Sequence, residues 1–424
     1  MIARTSRPAE RPAHRVTTAN FQAIYPFVAE GGLGGRGVYI GRDLYGGSFA
    51  YDPFALYEQR ALTNPNMLVL GEVGSAKSSL VKCYLHRQAL FGRIPWISDP
   101  KGEYGPLARA LGVEPIRLSP GGDVRINPIG AREDWEGQLG LLQAVGASAL
   151  NRPLEPEERG GLREAIRVLN SQSPPTTIPR VVELLLRPTT EMADRIATTP
   201  SRLAMAVRGV ALALQRLCEG ELRGMFDGPT TPGLRLDDRA VVLDLSAFYD
   251  SSALGIVMTC AAAWQRSTMA RAHIVADATG QITPKFVNVF DEAWRALSVV
   301  GVGEWLQDAF KKSRSYGLQN IVVMHRLSDL TAAGSSGSRE VALAEGLLHD
   351  AQTRVIYRQV EDEVPRAREI LGLTALEAEL LPELEPGVAL WKVGSRSFLV
   401  QHRLSEIEAV LVDTDGRMRD RPAS

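Results

Sequence analysis

A short apolar run followed by a glycine-rich loop and a lysine restricts the fold of this chain more than any other segment. Residues 67–81 read MLVLGEVGSAKSSLV, so a candidate buried strand leads into a glycine turn and then into a helix. Phosphate-binding loops occur in this context, because glycines let successive backbone amides surround an anion. We therefore expect a phosphate-binding loop formed by Gly71, Glu72, Val73, Gly74, Ser75, Ala76, Lys77, Ser78 and Ser79.

The last residues of this loop indicate a nucleoside triphosphate with Mg²⁺ as the ligand. A helix that starts near Lys77 points its positive end at the phosphates, and the lysine adds a charge for the β- and γ-phosphates. The Ser78 hydroxyl is a candidate ligand of Mg²⁺. Ala76 stands where a glycine usually precedes the lysine. We expect the loop to form if φ of Ala76 is negative, because a methyl group is disfavoured at positive φ.

An acid pair ends another apolar run. FVNVF at 286–290 is followed by Asp291 and Glu292, and adjacent acids at the end of a buried strand are costly unless they serve a site. We expect Asp291 to hold Mg²⁺ and Glu292 to polarise the attacking water, which predicts an ATPase that uses ATP and Mg²⁺. The alternative is that both acids cap a helix starting at Ala293.

Other candidates follow neighbouring strands. His325 ends the run 320–324 and could sense the γ-phosphate, because ligands bind beyond the carboxyl ends of parallel strands; the alternative is a packed or capping histidine. Arg314 is a candidate arginine finger that reaches a neighbouring subunit's nucleotide, and Arg354 and Arg358 are its rivals.

A polar turn reads SDPKGEY at residues 98–104 and follows the second core strand. Its acids Asp99 and Glu103 could form hydrogen bonds within the site. The alternative is a plain acidic turn.

Six apolar runs alternate with helical patterns, which predicts an α/β fold with a parallel-dominated sheet covered on both faces. A glycine-rich hairpin at 38–51 leads into this core. No good strand is visible between residues 132 and 228, which we interpret as a helical subdomain inserted between the second and third core strands. The six runs are 67–70, 94–97, 240–245, 286–290, 320–324 and 353–357.

Charge and hydropathy exclude some classes of protein. The net charge is -1 and aromatic residues make up 6% of the chain, so there is no broad basic surface or stacking platform for nucleic acid. No run of about eighteen apolar residues is present to span a bilayer. The arginines of the first sixteen residues form either a solvated tail or a contact to DNA or lipid.

On these residues the chain resembles the VirB/TraC-type conjugation ATPases of type IV secretion systems, within the HerA–FtsK superfamily. Four motifs carry the resemblance: GEVGSAKSS, DPKGEY, VFDEAW and KKSRSYGLQNIVVMHRLSDL. The first is common to many NTPases, whereas DPKGEY together with the arginine–tyrosine–glycine run of the last is more selective. A late segment, residues 380–415, is also similar to that family. The resemblance covers residues 37–415.

The resemblance implies a RecA-like core with an extra strand between the loop strand and the Asp–Glu strand, and an all-helical insertion. It also implies a hexamer with ATP between subunits, and a motor that powers channel assembly or the passage of DNA and protein. Implied partners are a type IV secretion channel and coupling proteins at the inner membrane, and also DNA. We expect a cytoplasmic location, at the membrane face where a channel recruits the chain.

The chain departs from the family at two points. His325 stands where relatives usually have glutamine. Many members also carry a large amino-terminal domain, so the chain fits either a shorter branch or one domain of a longer protein. The expected division is an arm at 1–35, a first core part at 36–131, the helical insertion at 132–228, a second core part at 229–415 and a tail at 416–424.

Three functions remain open at this point. The first is a secretion or conjugation motor that hydrolyses ATP. The second is a DNA-translocating pump of the FtsK/HerA type, which requires DNA contacts. The third is an ATP-binding assembly scaffold in which Ala76 has slowed turnover.

Overall fold

The structure is a computed structural model that describes residues 32–44, 47–132, 134–220, 222–234, 239–251, 253–297, 302–333 and 339–412. Most of the predicted arm at 1–35 lies outside the described residues, and so does the whole predicted tail at 416–424.

A single mixed sheet of eleven strands organises the described residues. Seven neighbouring strands, β9 to β5 in the sheet order, pair in parallel, and the four strands at the other edge pair antiparallel. The sheet order is β2-β1-β11-β10-β9-β3-β8-β7-β4-β6-β5. The strands are β1 Val38–Asp43, β2 Ser48–Tyr51, β3 Met67–Leu70, β4 Arg93–Asp99, β5 Ile116–Arg117, β6 Val241–Asp244, β7 Lys285–Phe290, β8 Leu318–Met324, β9 Thr353–Ile356, β10 Val388–Val393 and β11 Arg396–His402.

This topology confirms the predicted α/β fold with a sheet that is mostly parallel. All six apolar runs are core strands, and β1 and β2 form the expected hairpin. β8 lies between β3 and β7, as the resemblance implied. Strands β5, β10 and β11 were not among the predicted strands. β5 has only two residues, and β10 and β11 form a hairpin that extends the sheet from β9 to β1.

The central strands are apolar on both faces because both faces are covered. Met67 and Val69 of β3 belong to one hydrophobic core, and Leu68 and Leu70 belong to the core on the other face. Fully buried strands of this kind read as continuous apolar runs, so their period-two alternation is hidden in the sequence.

Helices cover the sheet, and none among the described residues is both long and apolar enough to cross a membrane. The α-helices are α1 Pro53–Glu58, α2 Lys77–Leu90, α3 Gly105–Ala110, α4 Trp135–Leu150, α5 Pro156–Asn170, α6 Ile178–Leu186, α7 Thr190–Arg195, α8 Pro200–Glu219, α9 Leu254–Thr279, α10 Trp294–Leu297, α11 Val302–Lys311, α12 Arg339–Asp350, α13 Val364–Leu371, α14 Ala375–Leu380 and α15 Glu406–Val412. Short 3-10 helices occupy Ser246–Phe248, Lys312–Tyr316, Ser328–Ala333, Glu361–Glu363 and Leu381–Glu383.

Helices α4 to α8 follow one another between β5 and β6. Their starts carry the expected signals: Asp134 caps α4 through the Gly137 amide at 3.0 Å, and Glu155 and Glu158 form a capping box on α5. Because β5 comes before these helices, the helical segment follows a short third strand rather than the second one. The domain limits at 132 and 228 stay a prediction.

Arg87 connects α2, the helix that begins at Lys77, to the antiparallel edge of the sheet. Its guanidinium donates to both carboxylate oxygens of Glu408 on α15, at 2.6 and 2.5 Å, and to the carbonyl oxygens of Tyr39 and Arg403. A fork of this kind fixes geometry as well as charge. The position of α2 therefore depends on β1 and α15, which come from the two ends of the described chain.

Acid should destabilise the fold through His402 at the end of β11. Burial lowers the pKa of His402 to about 4. The charge of Arg87 also lowers this pKa, whereas the charge of Glu408 raises it. Between pH 6.5 and pH 4 the unfolded chain therefore binds a proton that the fold does not, so this contribution to stability falls as pH falls. As the pH falls through this window, the free energy of unfolding should therefore decrease less steeply for His402→Gln than for the parent protein. The difference between the two slopes should be up to about 1.4 kcal/mol per pH unit.

Urea unfolding at pH 7, 6, 5 and 4.5 measures this difference. His349→Gln, which removes an exposed histidine of α12, is the matched control and should follow the parent protein. Identical pH slopes for His402→Gln and the parent would contradict the assignment.

Candidate functional site

Parallel pairing brings the predicted site residues other than Arg314 to one edge of the sheet. β3, β8, β7 and β4 are consecutive neighbours, so their carboxyl ends lie side by side. These ends lead into the phosphate loop, His325, the pair Asp291 and Glu292, and Lys101, in that order. β3 and β7 are two strands apart, which is about 10 Å. The loop and the acids therefore share one crevice, where ligands of parallel sheets bind.

The phosphate loop joins β3 to α2, and α2 begins at Lys77. The Lys77 side chain is buried, and its Nζ donates to the carbonyl oxygens of Gly71 at 2.5 Å and Glu72 at 2.7 Å. Burial lowers the pKa of Lys77 to about 8, and the nearby carboxylates of Asp291 and Glu292 oppose this shift. An ammonium held in this way can exchange its carbonyl partners for phosphate oxygens.

Three small residues of the loop serve different purposes. Gly74 has φ of +80°, and a Cβ there would meet open space, so only the backbone conformation favours glycine. Gly71 is needed for space, because an added Cβ would lie 2.5 Å from Cβ of Tyr357. Ala76 also has φ of +80°, so the loop does not meet the condition of a negative φ at this residue. The loop forms with a strained alanine, at a conformational cost of about 1–2 kcal/mol.

The acid pair is buried at the end of β7. Glu292 has φ of +52°, a second strained residue in the crevice. Its Oε1 lies 2.5 Å from Nζ of Lys101 and 2.8 Å from Nε2 of His325, and its Oε2 accepts from Nε1 of Trp294 at 2.7 Å. A carboxylate only accepts, so Nε2 of His325 carries the proton. Burial raises the pKa of Glu292, but hydrogen bonds from His325 and Lys101 outweigh it and bring the pKa well below its ordinary value.

Asp291 and Ser78 offer the donor set that Mg²⁺ prefers. Asp291 is buried, and burial followed by the charge of Glu292 raises the pKa of its carboxyl group. Its Oδ2 accepts from the Tyr104 hydroxyl at 3.3 Å, and its Oδ1 accepts from the Glu292 amide at 3.0 Å. Ser78 lies in the first turn of α2, one residue after Lys77. One carboxylate and one hydroxyl beside a phosphate loop fit Mg²⁺.

The turn after β4 supports the acids through residues that sequence reasoning did not single out. Oδ1 of Asp99 accepts from the amides of Lys101, Gly102 and Glu103, and Oδ2 accepts from the Tyr104 amide at 2.9 Å. Asp99 therefore caps the turn, which agrees with the acidic-turn alternative. Lys101 and Tyr104 instead reach Glu292 and Asp291, as described above. Lys101 and Tyr104 follow the carboxyl end of a predicted strand, and this position was the feature of the sequence that could have indicated them as site residues.

The three candidate arginines occupy different places. Arg358 lies near the loop, with Nη2 3.3 Å from Oε2 of Glu72. Arg314 precedes β8 at the opposite, amino edge of the sheet, and its Nη1 donates to the Thr63 carbonyl at 3.4 Å. Arg354, at the start of β9, donates to the carbonyls of Leu371 and His349. Arg314 and Arg354 line one cavity of about 310 Å³, and neither lies in the crevice of the phosphate loop.

Comparison with known proteins shows the fold. No protein-family model matches the sequence, and no curated protein matches it. VirB4 of Thermoanaerobacter pseudethanolicus has a similar structure, with a TM-score of 0.70 and 22% sequence identity over 90% of this chain and 100% of that chain. The plasmid coupling protein TrwB in complex with the ATP analogue ADPNP aligns with a TM-score of 0.53 and 16% identity over 80% of this chain and 86% of that chain.

A second TrwB structure, in complex with ADP and Mg²⁺, aligns with a TM-score of 0.51 and 15% identity over 80% of this chain and 86% of that chain. The chain therefore has the P-loop NTPase fold of VirB4 and TrwB. This agrees with the resemblance that the motifs carried.

Replacing Ala76 by glycine should stabilise the protein. Glycine removes the strain of φ +80° but makes the unfolded chain more flexible, so the net gain in free energy of unfolding is about 1 kcal/mol at most. Gly74→Ala is the matched control, because Gly74 has the same φ and open space around its Cα. It should lower the stability by a similar amount, measured by urea unfolding. A loss of stability in Ala76→Gly would contradict this reading of the loop.

Proposed function

We propose that this protein is the ATP-hydrolysing motor of a type IV secretion or conjugative transfer system. The observation that carries the proposal is the convergence of Lys77, the acid pair and His325 at one edge of a sheet with the VirB4 and TrwB fold. TrwB forms complexes with the ATP analogue ADPNP and with ADP and Mg²⁺, which supports ATP and Mg²⁺ as the ligands of this chain.

ATP binding is assigned to the loop at 71–79. Lys77 exchanges the carbonyls of Gly71 and Glu72 for β- and γ-phosphate oxygens, while the amino end of α2 adds its dipole. Ser78 and Asp291 hold Mg²⁺, which when bound neutralises charge that develops on the transferred phosphoryl group. The Tyr104 hydroxyl orients Asp291 for this task.

Water activation is assigned to Glu292. Its carboxylate orients a water in line with the γ-phosphate, and His325, bound to Oε1, keeps the carboxylate at the end of β7. Lys77 stabilises the charge of the transition state. His325 reaches the candidate base directly, so it reports the state of the γ-phosphate through Glu292.

The arginine finger is assigned to Arg314 of a neighbouring subunit. Arg314 is exposed at the amino edge of the sheet, away from its own crevice, so it can serve a nucleotide only in another copy of the chain. This arrangement supports a ring, and we propose a hexamer with ATP between subunits. The partners assigned to the ring are a secretion channel and coupling proteins at the cytoplasmic face of the inner membrane.

Loss of Lys77 or Glu292 should abolish ATP turnover by different routes. Lys77→Ala removes phosphate charge stabilisation, and Glu292→Gln keeps the shape but loses the base, so each should lower kcat at least about a hundredfold. Glu292→Gln should still bind ATP. Lys285→Ala, at the opposite end of β7, is the control and should hydrolyse ATP normally.

Phosphate release with and without DNA is the measurement. Equal rates for Lys77→Ala and the parent protein would end the motor proposal. Strong stimulation by DNA would instead favour a DNA-translocating pump.

Mixing two inactive variants tests Arg314. If the finger acts on a neighbour, an Arg314→Ala subunit supplies an intact loop and base, and an adjacent Glu292→Gln subunit supplies the arginine. About a quarter of the interfaces in an equimolar mixed ring are then complete, and turnover should recover to about that fraction. A mixture of Arg314→Ala with Lys285→Ala, which should hydrolyse ATP normally, measures how far the subunits exchange between rings. Exchange without any recovery in the first mixture would contradict the assignment.

A further inference from the structure

Lys101 contacts the candidate base and has no role in the mechanism above. Its Nζ lies 2.5 Å from Oε1 of Glu292 and 3.5 Å from Nε2 of His325. We propose that Lys101 is a latch, which holds the Glu292 carboxylate when no nucleotide is bound and transfers to the γ-phosphate when ATP binds. The inference rests on the proposed function, because it specifies how the same site distinguishes ATP from ADP.

The Glu292 carboxylate already has three hydrogen-bond donors. Oε1 receives both Lys101 and His325, and Oε2 receives the indole N–H of Trp294. A carboxylate offers about four lone-pair positions, so three donors leave little capacity for a catalytic water. The ammonium also competes for the negative charge that would attract the water's proton. Glu292 must therefore lose one of these partners before it can orient water.

Among these three donors, Lys101 has the side chain that can move away from Glu292 most easily. Its backbone is fixed, because the Asp99 carboxylate caps the amides of residues 101–104 and Gly102 takes φ of +70° in the turn. Its side chain is different: it is 24% exposed and ends in a compact charge on a flexible four-carbon stem. A fixed base with a flexible arm can move an ammonium between two anions without moving the turn.

A nucleotide bound in the crevice provides a second anion that competes with Glu292 for Lys101. The ammonium of Lys101 lies close enough to Lys77 for their charges to interact, and also to Asp291. A triphosphate held by Lys77 therefore brings its γ-phosphate into the field of Lys101. That group carries more negative charge than a single carboxylate, so it attracts the ammonium more strongly. ADP lacks the group and leaves Lys101 on Glu292.

The latch predicts that Lys101 affects the two nucleotides differently. Lys101→Met keeps an unbranched side chain one atom shorter than lysine but removes its charge, so binding of the ATP analogue ADPNP with Mg²⁺ should weaken about tenfold or more. Binding of ADP with Mg²⁺ should change less than about twofold, since Lys101 does not reach it. Lys101→Arg keeps the charge and is the matched control, with a preference for ADPNP close to that of the parent. A purely structural lysine would change both affinities equally.

A double-mutant cycle tests the contact with Glu292 itself. Glu292→Gln weakens the interaction of this side chain with Lys101. The variant should therefore bind ADPNP several-fold more tightly than the parent protein, whereas its affinity for ADP should be unchanged. Combined with Lys101→Met, the gain should disappear, because the two side chains act through each other. Should Lys101→Met fail to fold, the ADPNP-to-ADP ratio of Glu292→Gln decides alone. All affinities are measured by calorimetry on the full chain.

The outcomes separate the latch from the proposed function. A parent protein that binds neither nucleotide would end both proposals. A parent protein that binds and hydrolyses ATP, with an unchanged ADPNP-to-ADP ratio in Lys101→Met or Glu292→Gln, would overturn the latch and leave the motor proposal standing. A gain in ADPNP affinity that persists in the double variant would also overturn the latch.

Discussion

The parallel hydrogen bonding of β3, β8, β7 and β4 is the constraint on which the rest of this structure depends. Its register pairs Leu70 with Met324 and Phe290 with Val322, so β7 ends about two residues short of β3 and β8. Because Glu292 comes two residues after Phe290, its side chain lies beside His325, the residue that follows β8, rather than above the sheet. A slip of one residue would turn the acids toward the other face.

The same edge concentrates charge in a buried place. Two ammonium groups, Lys77 and Lys101, lie among the carboxylates of Asp291 and Glu292, and each charge has an opposite partner or a dipole beside it. Removing one member of a buried ion pair leaves the other charge buried without its partner, which carries a large desolvation penalty. Ligand binding in such a crevice is therefore an exchange of partners. The strained backbone at Ala76 and Glu292 is held at this edge by the surrounding sheet.

Much of the fold could be predicted because its central strands and turns are locally encoded. The runs that became β3, β7 and β8 are largely apolar, and they are followed directly by Gly71, Asp291 and His325. The hairpin of β10 and β11 was not predicted, because its strands are stabilised by pairing with β9 and β1, which are distant in sequence. The two-residue β5 exists only through its pairing with β6.

The sequence by itself determined the chemistry that is available: a strand, a glycine loop, Lys77 and Ser78 in one segment, and Asp291 with Glu292 at the end of an apolar run. Local spacing is sufficient for these, because each motif is continuous along the chain. Only the tertiary structure decided which groups meet. Lys101 follows β4 and reaches Glu292 at the end of the neighbouring strand β7, and Arg314 lies at the far edge, because sheet order and register, not distance along the chain, set these contacts.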